Sequence, residues 1–330
     1  MEVKMEKKSN KKKLWGQIAL LLAVMLLFVS FDLSIYHIFT KRFISDYDEG
    51  LQAKSVALDR YLPFAKESDV VKRKADFTLE GELPKIDGAA ALYPVCSAFV
   101  HALYPEESVQ FDGEAFTSDS ALQMNNTIGC YKGIVDGTID IALLAGPSEE
   151  QLAYAKEQGV ELEFVPVGCE AFVFIVNADN PVDSLSTEQV KGIYSGKYRL
   201  WSQLGGENKL ISALSRRPGS GSQTAFLSFM GDAPFKEERM MFLGSSIGFS
   251  FRYYVEGIVE DGDIKMLALD GVYPSKENVS NRSYPIVSEF YAVYRKDNQN
   301  ENLKILLEYM LSQDGQQIIE ESGYVGVNYS

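Results

Sequence analysis

The sequence predicts an α/β fold carried behind an N-terminal transmembrane helix. Three observations predict it. Residues 14–31 form an uncharged run of 18, close to the ~20 needed to cross a bilayer. From Lys85 onward, short apolar runs alternate with segments of helical period, as expected of parallel strands covered by helices. Two of the helical segments open on a capping box, a Ser followed three residues later by a Gln. The 330 residues suggest about two domains, at roughly 100–200 residues each.

Residues 1–13 hold six Lys and two Glu, a net of +4, which leaves −18 for the rest of a chain whose total is −14. Lysines ahead of an apolar span keep the N-terminus in the cytoplasm. The expected order is a basic cytoplasmic segment (1–13), a single-pass anchor in the cell membrane (14–39) and an extracellular remainder. The apolar run exceeds the ~7–15-residue core of a signal peptide. No A-x-A site follows it, and no Cys that could carry a lipid. Cleavage near Ser30–Ser34 is the alternative to an uncleaved anchor. Residues 40–83 include "SDYDEGLQAKSVALDRYLPFAKESDVVKRK" and read as a charged juxtamembrane connector, partly helical and solvated, with Pro63 ending its helix.

From there each element has a local cause. "KIDGAAALYPVCSAFVHALYP" reads as a short strand, a glycine turn and a helix. "IDIALLAG" (Ile139–Gly146) is a buried parallel strand. "PSEEQLAYAKEQG" is boxed by Ser148 and Gln151 and stopped by Gly159. "VELEFVPV" and "EAFVFIVN" are strands. "STEQVKGIYSG" is boxed by Ser186 and Gln189, and "NLKILLEYMLSQDGQQIIEESG" closes the chain with helical period. In parallel α/β sheets ligands bind beyond the strand C-termini, where helix N-termini point.

Three loops suit an anion. "RRPGSGSQTAF" (Arg216–Phe226) joins two cations to small residues at a helix start. Glycines let the backbone approach, serines donate, and the helix N-terminus carries partial positive charge. A plain N-cap flanked by surface arginines is the bland alternative. "DGAAALYP" (Asp87–Pro94) and "NNTIGCYKG" (Asn125–Gly133) are also small or polar helix starts. Together the three suggest one convergent oxyanion site.

Other chemistries are disfavoured. A net charge of −14 argues against a nucleic-acid footprint. Cys96, Cys130 and Cys169 lack CxxC spacing and have two His for company, so no metal site is expected and the cysteines read as small buried hydrophobes. "GSSIG" (Gly244–Gly248) matches a nucleophile elbow, but both histidines, His37 and His101, precede it. There is no Walker loop and no HExxH, so neither a cofactor nor catalysis is expected.

The chain resembles the phosphate ABC transporter substrate-binding proteins, in particular a Gram-positive branch. "IDGAAALYP" resembles that family's first ligand loop and "RPGSGSQT" its Arg-Gly-Ser-Gly loop. "EAFVFIVNADNPVDSLSTEQVKGIYSGKYRLWSQLGG", "GVYPSKENV" and "LSQDGQQIIEESGYVGVN" resemble its later segments. The match runs roughly from Leu58 to Asn328. It implies a two-lobed periplasmic-binding-protein-like fold (type II), with inorganic phosphate or a similar oxyanion in the cleft and ABC permease subunits as partners. Strand order puts lobe I at 84–176 and 285–330 and lobe II at 177–284, with crossovers near Asn177 and Tyr284.

The resemblance implies ligand contacts at Ala91, Leu92, Tyr93, Thr127, Ser220, Gly221 and Ser222, and at one of Arg216 and Arg217. Arg216 has the family spacing to Ser220, whereas Arg217 matches the branch's Arg-Pro pair. Three departures stand out. Leu92 replaces a hydroxyl residue. Ala145 falls on the aspartate that accepts the proton of hydrogen phosphate, leaving Glu170 as a substitute acceptor, with a solvated or hinge-bracing role as the alternative. Residues 230–247 form a shortened segment. An anchored anion sensor or structural protein that kept the fold without transport is the second reading.

Overall fold

The structure, a computed structural model, describes residues 58–235, 245–259 and 263–327, together with Trp15, Met25 and Ser30. Two compact units divide it, Met1–Lys54 and Ser55–Ser330. Of the first, the three described positions are helical and exposed. The basic segment 1–13, most of the expected anchor 14–39 and connector residues 40–57 lie outside the described residues. Among the described residues no helix is long and apolar enough to cross a membrane.

The second unit alternates strands and helices as the pattern requires. Strand β1 (Ile86–Gly88) runs through a 3₁₀ turn (Ala90–Leu92) into α1 (Tyr93–Leu103). Helix α2 (Asn126–Asp136) leads to β2 (Ile141–Ala145), and α3 (Glu149–Glu157) to the long β3 (Leu162–Asn177). There follow β4 (Ser184–Leu185), α4 (Thr187–Tyr194), β5 (Ser212–Ala213), α5 (Gly221–Met230) and β6 (Ser246–Phe251). A π-helical turn (Tyr254–Val259), β7 (Ile264–Met266), β8 (Ala268–Leu269) and α6 (Lys276–Ser280) precede β9 (Val287–Arg295). The end is α7 (Glu301–Leu311), α8 (Gln313–Glu321) and β10 (Val325–Gly326). Both capping boxes form as read: Ser148 with Gln151 and Ser186 with Gln189.

The sheet is mixed, a correction to the parallel expectation. Eight of the described strands make one sheet, β1-β2-β9-β3-β6-β5 with β7 and β10 on β3, and β4 and β8 pair separately. Pairing is parallel at β1–β2, β5–β6 and β4–β8, and antiparallel wherever β3 or β9 takes part. The cause is the length of β3. Its residues 162–171 pair with β9, and 172–177 pair with β6 and β7, so one strand serves two neighbourhoods. The change of partners lies between Ala171 and Phe172, inside the strand whose last residue, Asn177, the sequence takes as the crossover. Near its middle β3 shifts register, and Gly168 permits a close approach there: a Cβ would lie 2.3 Å from Phe290 Cζ and 3.0 Å from the Val325 carbonyl.

Beyond that change, an aromatic core gathers Phe172, Phe174, Tyr194, Phe226 and Phe249. The Phe226 and Phe249 rings stack at 4.4 Å. On the other side Tyr131, Ile134, Leu144 and Val293 pack together. All three cysteines are buried and unpaired in disulfides, as expected of small hydrophobes. Ser246, the central residue of "GSSIG", sits in β6 opposite Ser212 rather than at a strand-to-helix turn.

The described part of the connector is not a solvated stalk. Tyr61, Ser68, Val70 and Leu79 are buried. The Tyr93 hydroxyl donates to the Leu58 carbonyl (3.0 Å), and the Tyr61 hydroxyl to the Gly257 carbonyl (2.9 Å). The charges that suggest a stalk point outward, while the apolar residues between them are spent on α1. The half-buried Tyr61 bond is worth about 0.5–1.5 kcal/mol. Tyr61→Phe is therefore expected to lower the unfolding free energy by that amount, seen as a lower urea midpoint with an unchanged denaturant slope. An unaltered midpoint would show that the bond contributes nothing.

Candidate functional site

Strands β1 and β2 run parallel and end at one edge, with Gly88 opposite Leu143 and the Ala89 amide donating to the Leu143 carbonyl (3.0 Å). The chain leaves β1 through Ala89, Ala90 and Ala91, whose small side chains leave the backbone open. Ala145, the last residue of β2, lies at the same edge.

Helix α5 brings the third loop to this edge. Gly219 turns at φ 76°, a left-handed value that favours glycine. Ser220 caps the helix by accepting from the Gln223 amide (3.2 Å), and Gln223 Oε1 accepts from the Arg216 amide (2.8 Å). The Gln151 side chain donates to the Gly219 carbonyl (3.0 Å), fastening the loop to α3. A Cβ on Gly221 would lie 3.4 Å from Thr127 Oγ1 and 3.6 Å from Ala145 Cβ. The starts of α2 and α5 and the end of β2 therefore meet at one point, and two of the three loops converge as expected.

The helix starts differ in a useful way. The N-cap side chains of α3 to α8 (Ser148, Ser186, Ser220, Ser275, Asn300 and Ser312) all accept a backbone amide. Those of α1 and α2, Leu92 and Asn125, do not. Orphan first-turn amides seek another acceptor, and an oxyanion is one.

The other expected residues are placed unequally. Arg216 is half-buried and faces Tyr254; burial holds its guanidinium below its ordinary pKa, and no carboxylate among the described residues offsets that. Arg217 is exposed. Ser220 and Ser222 are half-buried on the loop and first turn of α5. Leu92 is buried, and so is Tyr93, whose hydroxyl is committed to Leu58. Their amides donate to the Ala89 and Ala90 carbonyls, and neither side chain offers a donor at the edge. Ala91 is half-buried, and its carbonyl accepts from the Tyr324 hydroxyl.

Glu170 is not available as a ligand acceptor. Its carboxylate is buried and receives Arg252 Nε (2.9 Å), Arg252 Nη2 (3.4 Å) and the amides of Ala171 (2.8 Å) and Tyr253 (3.3 Å). Burial pushes its pKa up to about 7, against the pull of Arg252. It braces β3 beside the change of partners. Among the described residues no carboxylate replaces it at Ala145. No cluster of metal-ligating side chains occurs among the described residues. A groove of about 370 Å³ beside Leu152, Lys156, Glu161 and Phe164 contains none of these site residues.

Sequence reasoning missed three contributors: Gln151, Gln223 and Asp87. Asp87 carried a signal, a charge in the apolar strand just before the first loop.

Comparison with known proteins identifies the family. A family model described as a PBP superfamily domain matches residues 86–314. The phosphate-binding protein PstS of Bacillus subtilis is 24% identical over 273 residues, covering 80% of this chain and 86% of its own. Protein SphX of Synechococcus elongatus is 23% identical over 292 residues, covering 80% and 83%. Among solved structures, one from Clostridium perfringens with bound phosphate, assigned as a phosphate ABC transporter substrate-binding protein, superposes with a TM-score of 0.57 at 24% identity, covering 75% of this chain and all of that one. An ABC-type phosphate transport receptor from Vibrio cholerae gives 0.53 at 20% identity, over 74% of this chain and all of that one. These relatives bear out the resemblance read from the sequence, and the two structures share the fold. The family match spans more than half of the sequence, and the chain belongs to the PBP superfamily.

Proposed function

We propose that this chain is an extracytoplasmic substrate-binding protein that takes phosphate or a related tetrahedral oxyanion and presents it to the permease subunits of an ABC importer. The observation that carries the reading is the meeting of Thr127, Gly221 and Ala145, with Arg216 half-buried on the same loop as Gly221. It combines uncapped amides, hydroxyl donors and one cation, and holds no nucleophile–base pair. The Bacillus subtilis relative, a phosphate-binding protein, and the Clostridium perfringens structure with bound phosphate support the same ligand class. Two lobes, 84–176 with 285–330 and 177–284, belong to this proposal. So does an uncleaved anchor at 14–39, motivated by the lysines and the uncharged run.

Calorimetry of residues 58–330 with phosphate, sulfate and molybdate tests it. One saturable site for at least one oxyanion is expected, and no binding of any would refute the function.

The ligand's proton is the second test. Hydrogen phosphate presents a proton that sulfate lacks, and only an acceptor carboxylate distinguishes the two sharply. Ala145 offers none, and Glu170 is held by Arg252. Phosphate and sulfate are expected to bind within about tenfold of each other, a gap near 1.4 kcal/mol. Ala145→Asp should widen the preference for phosphate. A strong phosphate preference in the unaltered protein would mean that another acceptor reaches the ligand.

A further inference from the structure

Asp87, the middle residue of β1, carries a carboxylate with no cation beside it among the described residues. The residue is 0% exposed, and no ion pair among the described residues includes it. Its Oδ1 accepts from the amides of Gly88 (2.7 Å) and Asn125 (3.0 Å), and its Oδ2 from the Asn125 side chain (2.6 Å). A buried charge satisfied only by neutral donors is costly, so its placement calls for an explanation.

The groups it holds supply one. Gly88 opens the first small-residue loop, and Asn125 precedes α2. Asn is a strong N-cap, and left to itself its oxygen would accept a first-turn amide of α2. Here the Asn125 side chain is turned to Asp87 instead, and α2 has no side-chain cap. The next residue, Asn126, sits at φ 57°, a left-handed conformation that Asn tolerates and most other L side chains resist.

We propose that Asp87 is the positioning residue of the oxyanion site. It locks the starts of the first loop and of α2 to each other and diverts Asn125, so that the first-turn amides beside Thr127 stay open to the anion. This rests on the oxyanion-binding function proposed above. Asp87 itself does not touch the ligand; its oxygens are filled by the groups it holds.

The test uses four variants, with phosphate titrated calorimetrically and backbone amide exchange read at Thr127 and Ile128 without phosphate. Asp87→Ala is expected to weaken phosphate binding by about tenfold or more, since the loop must then be ordered by the ligand. Asp87→Asn keeps an acceptor for both amides and should fall between Asp87→Ala and the unaltered protein. Asn126→Gly alone should stay within about threefold, because glycine adopts the left-handed angle freely. Added to Asp87→Ala, Asn126→Gly should recover part of the lost affinity, which a merely structural defect would not do. In Asp87→Ala the freed Asn125 should cap α2 and slow exchange at Thr127 or Ile128.

Unchanged phosphate affinity in folded Asp87→Ala overturns the proposal, as does a double variant that recovers nothing. If Asp87→Ala does not fold, Asn126→Ala replaces it. It should bind about five- to tenfold more weakly than Asn126→Gly, because alanine resists the left-handed angle, and equal binding overturns the proposal. If the unaltered protein binds no oxyanion, the function proposed above fails. The exchange comparison then decides the Asn125 diversion alone: slowed exchange in Asp87→Asn or Asp87→Ala supports it, and identical rates overturn it.

Discussion

Arg216→Ala is expected to weaken phosphate binding by roughly 10- to 150-fold, the equivalent of one hydrogen bond to a charged group at about 1.5–3 kcal/mol. Arg217→Ala should change it by less than about twofold, as a screened surface charge does. The two arginines are neighbours in sequence and alike in chemistry, and burial separates them. Arg216 is half-buried on the loop that Gln223 and Gln151 hold against α3, and it has no carboxylate partner among the described residues. A desolvated guanidinium without a counter-charge gains most from an anion. Arg217 is exposed and already solvated. Arg216→Lys should recover only part of the loss, because an ammonium lacks the planar fork that grips two oxygens at once. A silent Arg216→Ala with a large loss from Arg217→Ala would reassign the clamp. Two silent variants would remove the chemical basis of the proposed function.

The second large effect is on stability. Arg252→Met is expected to destabilise the protein by about 3–5 kcal/mol at pH 8, the cost of stranding a buried partner. Glu170 and Arg252 have side chains only 4% and 5% exposed, and Arg252 also reaches Glu256 and the Gly323 carbonyl. The guanidinium thus ties the end of β6 to the middle of β3 and to the chain after α8. The effect should depend on pH. Burial raises Glu170 from the ordinary 4.5 to about 7, so the unfolded chain releases this proton before the folded one does. The stability associated with the protonated carboxyl is full below 4.5 and is lost as pH rises towards about 7. Without Arg252 the ionised form is costlier still, so Arg252→Met should be milder at pH 5 than at pH 8. Urea denaturation at the two values decides it. A loss under about 1 kcal/mol, or an equal loss at both, would contradict the ion-pair account.

What the sequence determined by itself was local. The boxes at Ser148 and Ser186 close within one helical turn, so four residues suffice to specify them. The all-buried β2 is legible in an unbroken apolar run, and the burial of three cysteines in their lack of any partner spacing. The loop at Gly219 and Gly221 was also legible, because small residues between a strand and a helix have few other uses.

Tertiary structure decided the rest. The mixed sheet depends on β3 exchanging β9 for β6 and β7, a choice made by strands about 70 to 130 residues further along the chain. Glu170 became a brace rather than a ligand acceptor because Arg252 lies beside it in space, 82 residues away in sequence. Tyr61 went inward because Gly257 offered a carbonyl, although the charges around it read as solvated. Arg216 differs from Arg217, and Asp87 and Glu170 from the exposed acidic residues, by what packing removes from water. A spacing rule records neighbours within a turn or a strand, whereas desolvation is set by whatever the folded chain brings from elsewhere, and it is desolvation that gives these charges their roles.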